Sequence, residues 1–163
     1  MATKKPYEEL SDLEKLQKQW HKLSGLHSRE EWSAAIVRAA TAAEIAANFA
    51  VRNEFRASSQ LNAEFVDSLL VWANGLAGKI DRLLLRMSTE DKSKLKKLKA
   101  LKKLAYDVNT KRNAIAHQGE FCNENEAKAV IEQARKFITD LVKIYDLEFE
   151  LKERTDGHVG KKR

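Results

Sequence analysis

The stretch that decides the fold is KLKKLKALKKLAYDVNTKRNAIAHQG, residues 94–119. Its apolar residues recur at steps of three and four, which predicts a long helix with one apolar face. These apolar positions are Leu95, Leu98, Leu101, Leu104, Ala105 and Val108. The opposite face is basic, because four lysines fall within an arc of roughly 60°. They are Lys92, Lys96, Lys99 and Lys103. The apolar face must be covered by other helices, and Gly119 is suited to end this one.

The rest of the chain has the composition of a helical bundle. Of its 163 residues, 43% are hydrophobic, one is proline (Pro6) and six are glycine, so little interrupts a helix. We therefore predict an all-α protein, a single antiparallel bundle of about five helices. Its core is expected over about 28–150, with a loose N-terminus at 1–6 and a basic tail at 155–163.

Two helices are predicted before the middle of the chain. The first begins at Leu10 and is expected to end near Gly25. Ser28 followed by Glu31 has the spacing of a capping box, which predicts the start of the second helix. That helix runs through an alanine-dense segment to about Phe55, and its small side chains would let a neighbouring helix approach closely.

A third helix is predicted over residues 61–87, because its apolar residues share one face. They are Leu61, Phe65, Leu69, Trp72, Leu76, Ile80, Leu83 and Met87. Gly75 and Gly78 lie inside this segment and predict a kink or close packing there. The last helix is expected to begin after Asn123, which has Glu126 at capping-box spacing.

Charge and cysteine content narrow the class of protein. The net charge of +6 and the pI of about 9.4 favour an anionic partner, either nucleic acid or an acidic protein. Cys122 is the only cysteine, which excludes an intrachain disulfide. We find neither a signal-peptide pattern nor an apolar run of about 18 residues, so a cytoplasmic protein is expected. The four histidines form no H-x-x-x-H pair, so we predict no metal and no other cofactor.

Arg112 stands out because it continues the leucine stripe of the long helix. An unpaired guanidinium is costly to bury. Either a carboxylate meets it, or the stripe opens at this level into a polar cleft. Glu44 is the candidate carboxylate, because it interrupts the apolar face of the alanine-dense helix.

His117 lies about 140° around an ideal helix from Arg112 and close to the azimuth of Lys99. Asn113 lies one turn before His117 and nearly in line with it. For Arg112 and His117 to converge, the helix must bend, the arginine side chain must reach across, or a second subunit must take part. This geometry favours a groove between two subunits over a pocket inside one bundle.

The segment Arg112-Asn113-Ala114-Ile115-Ala116-His117-Gln118-Gly119, at the end of one helix and ahead of a capped last helix, resembles the HEPN superfamily. The hallmark of that family is Arg-x(4 to 6)-His with a polar residue after the arginine. The resemblance implies an all-α bundle and a metal-independent endoribonuclease, in which Arg112 and His117 are the catalytic pair and Asn113 supports them. It also implies a homodimer with the two motifs facing each other. Glu44 would be the acidic residue that some relatives carry on an early helix.

Many HEPN proteins belong to toxin–antitoxin, abortive-infection or other antiviral systems, so an antitoxin or inhibitory protein partner is a further expectation. The expected substrate is RNA, bound by basic side chains on the long helix: Lys92, Lys96, Lys99, Lys103 and Lys111. Two alternatives stay open. One is a HEPN-like module that binds RNA or nucleotides, or dimerises, without cleaving. The other is a basic bundle that binds an acidic protein or DNA.

Overall fold

A computed structural model describes residues 5–58 and 61–153 of the chain. Within these ranges it is helical with no strand, which confirms the all-α prediction. Most of the predicted loose N-terminus and all of the predicted basic tail lie outside the described residues. The helices are α1 (Asp12–Ser28), α2 (Trp32–Ser58), α3 (Ala63–Trp72), α4 (Gly75–Gly78), α5 (Leu85–Met87), α6 (Lys92–Gln118) and α7 (Glu124–Lys143). A 3-10 turn (Tyr7–Glu9) precedes α1, and a π-helical segment (Lys79–Leu84) joins α4 to α5.

Helix α2 is the centre of the bundle, and it packs against α1, α6, α7 and the π-helical segment. The side that meets these neighbours is lined with small side chains, each fully buried. They are Ala35, Ala39, Ala42, Ala43, Ala46, Ala47 and Ala50. Short side chains let helix backbones approach closely, so the alanine-dense segment acts as the prediction expected. Ile36 and Val51 complete the buried surface of α2.

The start of the chain differs from the prediction in two ways. The capping box lies at Ser11 and Glu14, where each side chain binds the backbone of the other residue. The capping box predicted at Ser28 and Glu31 is wrong, because α1 continues to Ser28, whose hydroxyl donates to the carbonyl of Gly25. The chain then turns sharply through Glu30, which has a φ of 60°.

Helix α1 belongs to the core. Leu16 and Trp20 are fully buried, and the indole Nε1 of Trp20 donates to Glu153 at 3.1 Å. Gln17 binds the backbone of Lys152 through two hydrogen bonds, so the end of the described chain lies along α1. The core therefore begins earlier than the predicted residue 28.

The predicted third helix is broken in two. Helix α3 ends at Trp72, and the next helical turn starts at Gly75, whose φ of +74° belongs to the left-handed region that favours glycine. The break also splits the predicted apolar face. Val66 and Leu70 are the buried residues of α3, whereas Phe65 and Trp72 are exposed.

The later helices follow the sequence pattern closely. Asp91 caps α6 by accepting from the backbone of Lys94 at 2.9 Å, and Asn123 with Glu126 forms the capping box of α7. The predicted apolar face of α6 packs inward, with four positions buried. They are Leu98, Leu101, Ala105 and Val108.

Helix α2 also has the length and composition of a membrane-spanning helix over Trp32–Ala57, contrary to the sequence expectation. Buried helices of globular cores meet the same criteria. In this bundle 56% of the most apolar window of α2 is buried against other helices. Its apolar character is therefore accounted for by packing.

Enlarging one alanine of the α2 packing surface should destabilise the fold. Ala43→Leu inserts three carbon atoms where the side chain is fully buried. Overpacking of this kind costs about 1–3 kcal/mol, and the loss would appear in the free energy of unfolding from urea denaturation. Ala34→Leu is the matched control, because Ala34 is exposed on the same helix. Equal stability of the two variants would contradict the packing described here.

Candidate functional site

The predicted motif lies at the C-terminal end of α6, where the helix is closed by Gly119. Gly119 has a φ of +68°, and the carbonyl of Ala114 accepts hydrogen bonds from the backbone N–H groups of Gly119 and Glu120. This arrangement ends the helix at Gln118 and fixes its last turn. The last turn carries His117 and leaves it exposed.

Arg112 and His117 meet within a single chain. The Nη1 atom of Arg112 lies 3.4 Å from Nε2 of His117 and donates to Oδ1 of Asn113 at 3.0 Å. The contact with Nε2 suits the neutral imidazole that carries its proton on Nδ1. The length of the arginine side chain therefore bridges the separation around α6, and neither a bend in the helix nor a second subunit is needed.

Arg112, Asn113 and His117 line a cleft of about 410 Å³ between α2, α6 and the start of α4. Helix α2 contributes Ala40, Thr41 and Glu44; the start of α4 contributes Asn74, Gly75, Leu76 and Ala77; α6 contributes the motif residues and Asn109. Most of these side chains are polar. Of the two outcomes considered for Arg112, the structure has the second, in which the leucine stripe opens into a polar cleft.

Glu44 lines the cleft but does not bind Arg112. Its carboxylate accepts from Nζ of Lys79 at 2.6 Å, and the lysine side chain is only 5% exposed. In the described part of the chain no carboxylate forms an ion pair with Arg112. The alternative in which Glu44 meets Arg112 is therefore wrong, although the two side chains face one cleft. Glu44 is positioned by the π-helical segment instead.

The sequence predicted a kink at Gly75, but it did not indicate that Asn74, Gly75 or Asn109 lines the cleft. Asn74 and Gly75 lie at the break between α3 and α4, and Asn109 lies one turn before the motif arginine. A Cβ atom on Gly75 would come 3.9 Å from Oδ1 of Asn109, which is ordinary contact, so the positive φ rather than crowding requires glycine there. The Asn74-Gly75 dipeptide is itself a turn signal, and it could have located the break.

The lysine face of α6 is exposed to solvent as predicted. Lys92, Lys96, Lys99 and Lys103 are all exposed, and Lys103 forms an ion pair with Asp107 at 2.8 Å. Their side chains form a basic surface along α6 that leads towards His117. Their predicted role in binding nucleic acid stays a prediction.

Lys111 differs from these exposed lysines, because it forms ion pairs with two carboxylates. Its Nζ atom binds Glu120 and, at 2.9 Å, Glu126. The hydrogen bonds from Glu120 and then Glu126 raise the pKa of Lys111. The pKa of Glu126 is lowered, first by the backbone of Asn123 and then by Lys111. Lys111 thus ties the end of α6 to the start of α7, and its predicted nucleic-acid contact stays a prediction.

Among residues 5–58 and 61–153, no group of three or more His, Cys, Asp or Glu side chains is placed to hold a metal ion. Within the same ranges, Cys122 is half-buried, and its backbone N–H donates to the hydroxyl of Ser33 at 3.0 Å.

Comparison with family models, with curated proteins and with solved structures finds no match for this chain. The resemblance to the HEPN superfamily therefore depends on the motif and its place in the bundle.

Lys111→Met tests whether Lys111, unlike the exposed lysines of α6, stabilises the fold. Loss of both ion pairs is expected to lower the melting temperature by about 2–4 °C, whereas the matched Lys99→Met should leave it unchanged. The ionised Glu126 contributes stability above its usual pKa of about 4.3 and loses that contribution as the pH falls through its lowered value.

Thermal unfolding followed by circular dichroism between pH 3 and pH 7, in about one-unit steps, measures both effects. The parent protein should lose more stability on acidification than the Lys111→Met variant, because the variant lacks the ammonium that favours the ionised Glu126. Identical pH profiles would mean that the contact contributes nothing to the fold.

Proposed function

We propose that this chain is a metal-independent endoribonuclease of HEPN type. The observation that carries the proposal is the meeting of the Arg112 guanidinium and the His117 imidazole, 3.4 Å apart, at a polar cleft of about 410 Å³. A cleft of this size lies in the range of small-molecule sites and suits a nucleotide unit of a chain. Asn113 holds the guanidinium from the other side at 3.0 Å, which supports a fixed orientation.

The electrostatics of the cleft suit a phosphodiester. Arg112 has no carboxylate partner in the described ranges, so the guanidinium N–H groups that do not contact Asn113 or His117 remain available to phosphoryl oxygens. Glu44 is the acidic side chain of the cleft, and Lys79 binds it. An RNA phosphate would therefore meet Arg112 without displacing an existing ion pair.

The reaction needs no metal. The 2′-hydroxyl oxygen bonds to the adjacent phosphorus, and the bond from phosphorus to the 5′-oxygen breaks, leaving a 2′,3′-cyclic phosphate and a free 5′-hydroxyl. One proton leaves the 2′-hydroxyl and one is delivered to the 5′-oxygen. His117 carries one of these transfers, because an imidazole can both accept and donate a proton. Arg112 offsets the charge that develops on the phosphoryl oxygens, and Glu44 or water handles the second proton.

The exposed lysines of α6 support an extended polymer rather than a single nucleotide as substrate. Lys92, Lys96 and Lys99 form no ion pair within the described ranges, and the row leads along the helix towards His117. A polyanion lying on this row would contact several of the lysines at once and release counterions. We extend the proposal to a cytoplasmic effector of a toxin–antitoxin or antiviral system, held in check by a partner protein.

A non-cleaving module that binds RNA or nucleotides is the second candidate. The same exposed lysines favour it, because a basic row supplies affinity whether or not the bound strand is cut. The two candidates differ in the product. Binding alone gives salt-sensitive affinity for RNA and leaves the RNA intact.

His117→Ala is expected to reduce RNA cleavage by about 10²- to 10⁴-fold, the usual contribution of general acid–base catalysis. RNA affinity should change little, because the lysine row is untouched. The assay incubates the purified protein and the variant with mixed RNAs in the presence of a chelator, followed by analysis of the product ends. Cleavage by the variant at the parental rate would contradict the proposal.

Substitution of the exposed lysines of α6 should weaken RNA binding, whereas His117→Ala should leave it almost unchanged. Lys96→Ala combined with Lys99→Ala is expected to weaken RNA binding and to reduce the slope of log affinity against log salt by about 2. Lys103→Ala is the matched control, because Asp107 already pairs that lysine. Fluorescence anisotropy with a labelled RNA across a salt series measures the slope. A slope unchanged in the double variant would remove the row from the binding surface.

A further inference from the structure

A second cavity, of about 460 Å³, adjoins the cleft and is here called the side cavity. Glu44 and Asn74 line both spaces, so the two form one groove between α2, α3 and the start of the π-helical segment. The other residues that line the side cavity are Asn48, Arg52, Asp67, Leu70, Val71 and Lys79. Its size suits one further part of a bound ligand, and the reaction described above does not use it.

The charges around the side cavity cancel. Lys79 binds Glu44 at 2.6 Å, and Arg52 binds Asp67 at 2.8 Å. Arg52 also binds Asp12, so both cations of the side cavity are already paired. The cleft differs, because the motif arginine has no carboxylate partner within the described ranges. A phosphate group is therefore expected in the cleft, and a neutral group in the side cavity.

Three asparagine side chains along the groove make no hydrogen bond within residues 5–58 and 61–153. Asn109 lines the cleft, Asn48 lines the side cavity, and Asn74 lines both. Asn74 directly precedes α4, yet its side chain does not cap that helix. Four other asparagines do use their side chains in hydrogen bonds: Asn53, Asn62, Asn113 and Asn123. The three carboxamides of the groove are thus not used by the fold.

The amide oxygen of Asn48 shows this most clearly. Its Oδ1 atom is buried and accepts no hydrogen bond. A buried acceptor without a donor is costly, and most buried polar atoms have a partner. A donor in the side cavity would supply one after a rotation of the carboxamide. Because a carboxamide carries both an acceptor and donors, it pairs well with a ligand edge that offers one of each.

We propose that the side cavity is a nucleobase subsite, in which Asn48 and Asn74 bind the edge of one RNA base while the neighbouring phosphate lies at Arg112. A nucleobase is neutral and presents donors and acceptors at its edge, which side-chain carboxamides recognise. Leu70 and Val71 supply apolar contact for the ring. The side cavity thus matches the base, and the cleft matches the phosphate.

The consequence is a base preference next to the bound phosphate. The exposed lysines of α6 would attract any polyanion regardless of sequence, whereas contacts to a base edge depend on which base is present. The subsite rests on the proposed function for the identity of the bound chain as RNA. It does not rest on cleavage, so it can be tested with ligands that the reaction cannot cut.

Nucleoside monophosphates test the subsite in this way, because each carries one base and one phosphate but no phosphodiester bond. AMP, CMP, GMP and UMP, each as the 3′- and the 5′-monophosphate, are titrated into the protein and followed by NMR. The preferred base should bind about 5- to 140-fold more tightly than the weakest, the discrimination typical of a good pair between a side chain and a base edge. Equal affinity for the four bases, or no binding, overturns the proposal.

Asn48→Ala and Asn74→Ala should each reduce this base discrimination by about fivefold or more. Their affinity for inorganic phosphate should equal that of the parent, because Arg112 is untouched. Asn125→Ala is the matched control, because Asn125 is exposed on α7 and lines neither cavity. Circular dichroism confirms that each variant folds, and Asn74 is itself exposed. Parental discrimination in both groove variants overturns the proposal.

The subsite and the ribonuclease activity can fail separately. Base discrimination in a protein that cleaves no RNA would end the ribonuclease proposal and leave the subsite standing. Cleavage of RNA by a protein that binds the four monophosphates equally would do the reverse.

Discussion

The close packing of alanine side chains on α2 is the contact on which the candidate site depends. Because these side chains are fully buried and short, α6 and α7 can lie directly against α2. Thr41 and Glu44 belong to the same helix and face the end of α6 across the cleft. The short side chains thus fix how closely α2 approaches its neighbours, and a larger side chain at these positions would move α2 relative to them.

A second set of contacts fixes the position of the motif at the end of α6. Gly119 ends α6, and Lys111 binds two carboxylates that lie at the start of α7 and just before it. Arg112, between these anchors, reaches along the helix surface to His117. The site therefore combines a rigid helix end with one long side chain that Asn113 holds in place. In the proposed reaction, such a cation is already oriented towards the charge that develops on the phosphate.

Periodicity predicted the helices well, because it reports which side of a helix is buried. Periodicity alone does not show the break at Ala73–Gly75, since the apolar spacing continues through it while the chain turns, but Gly75 predicted a kink there. A helical wheel likewise gives the direction of Arg112 and His117 but not the reach of the guanidinium. Lys79 was missed as the partner of Glu44, because the pairing joins helices 35 residues apart in sequence. The motif itself could be recognised in the sequence because its residues lie close together along the chain.

The central claim is that the cleft cuts RNA through its 2′-hydroxyl. The most direct measurement uses a DNA strand that contains one ribonucleotide, incubated with the protein and a chelator. The account predicts a single cut on the 3′ side of that ribonucleotide, with a 2′,3′-cyclic phosphate on one fragment and a 5′-hydroxyl on the other. An all-DNA strand should stay intact. Cutting of the all-DNA strand, or no cut at the ribonucleotide in a protein that cleaves the matching RNA, would contradict the account.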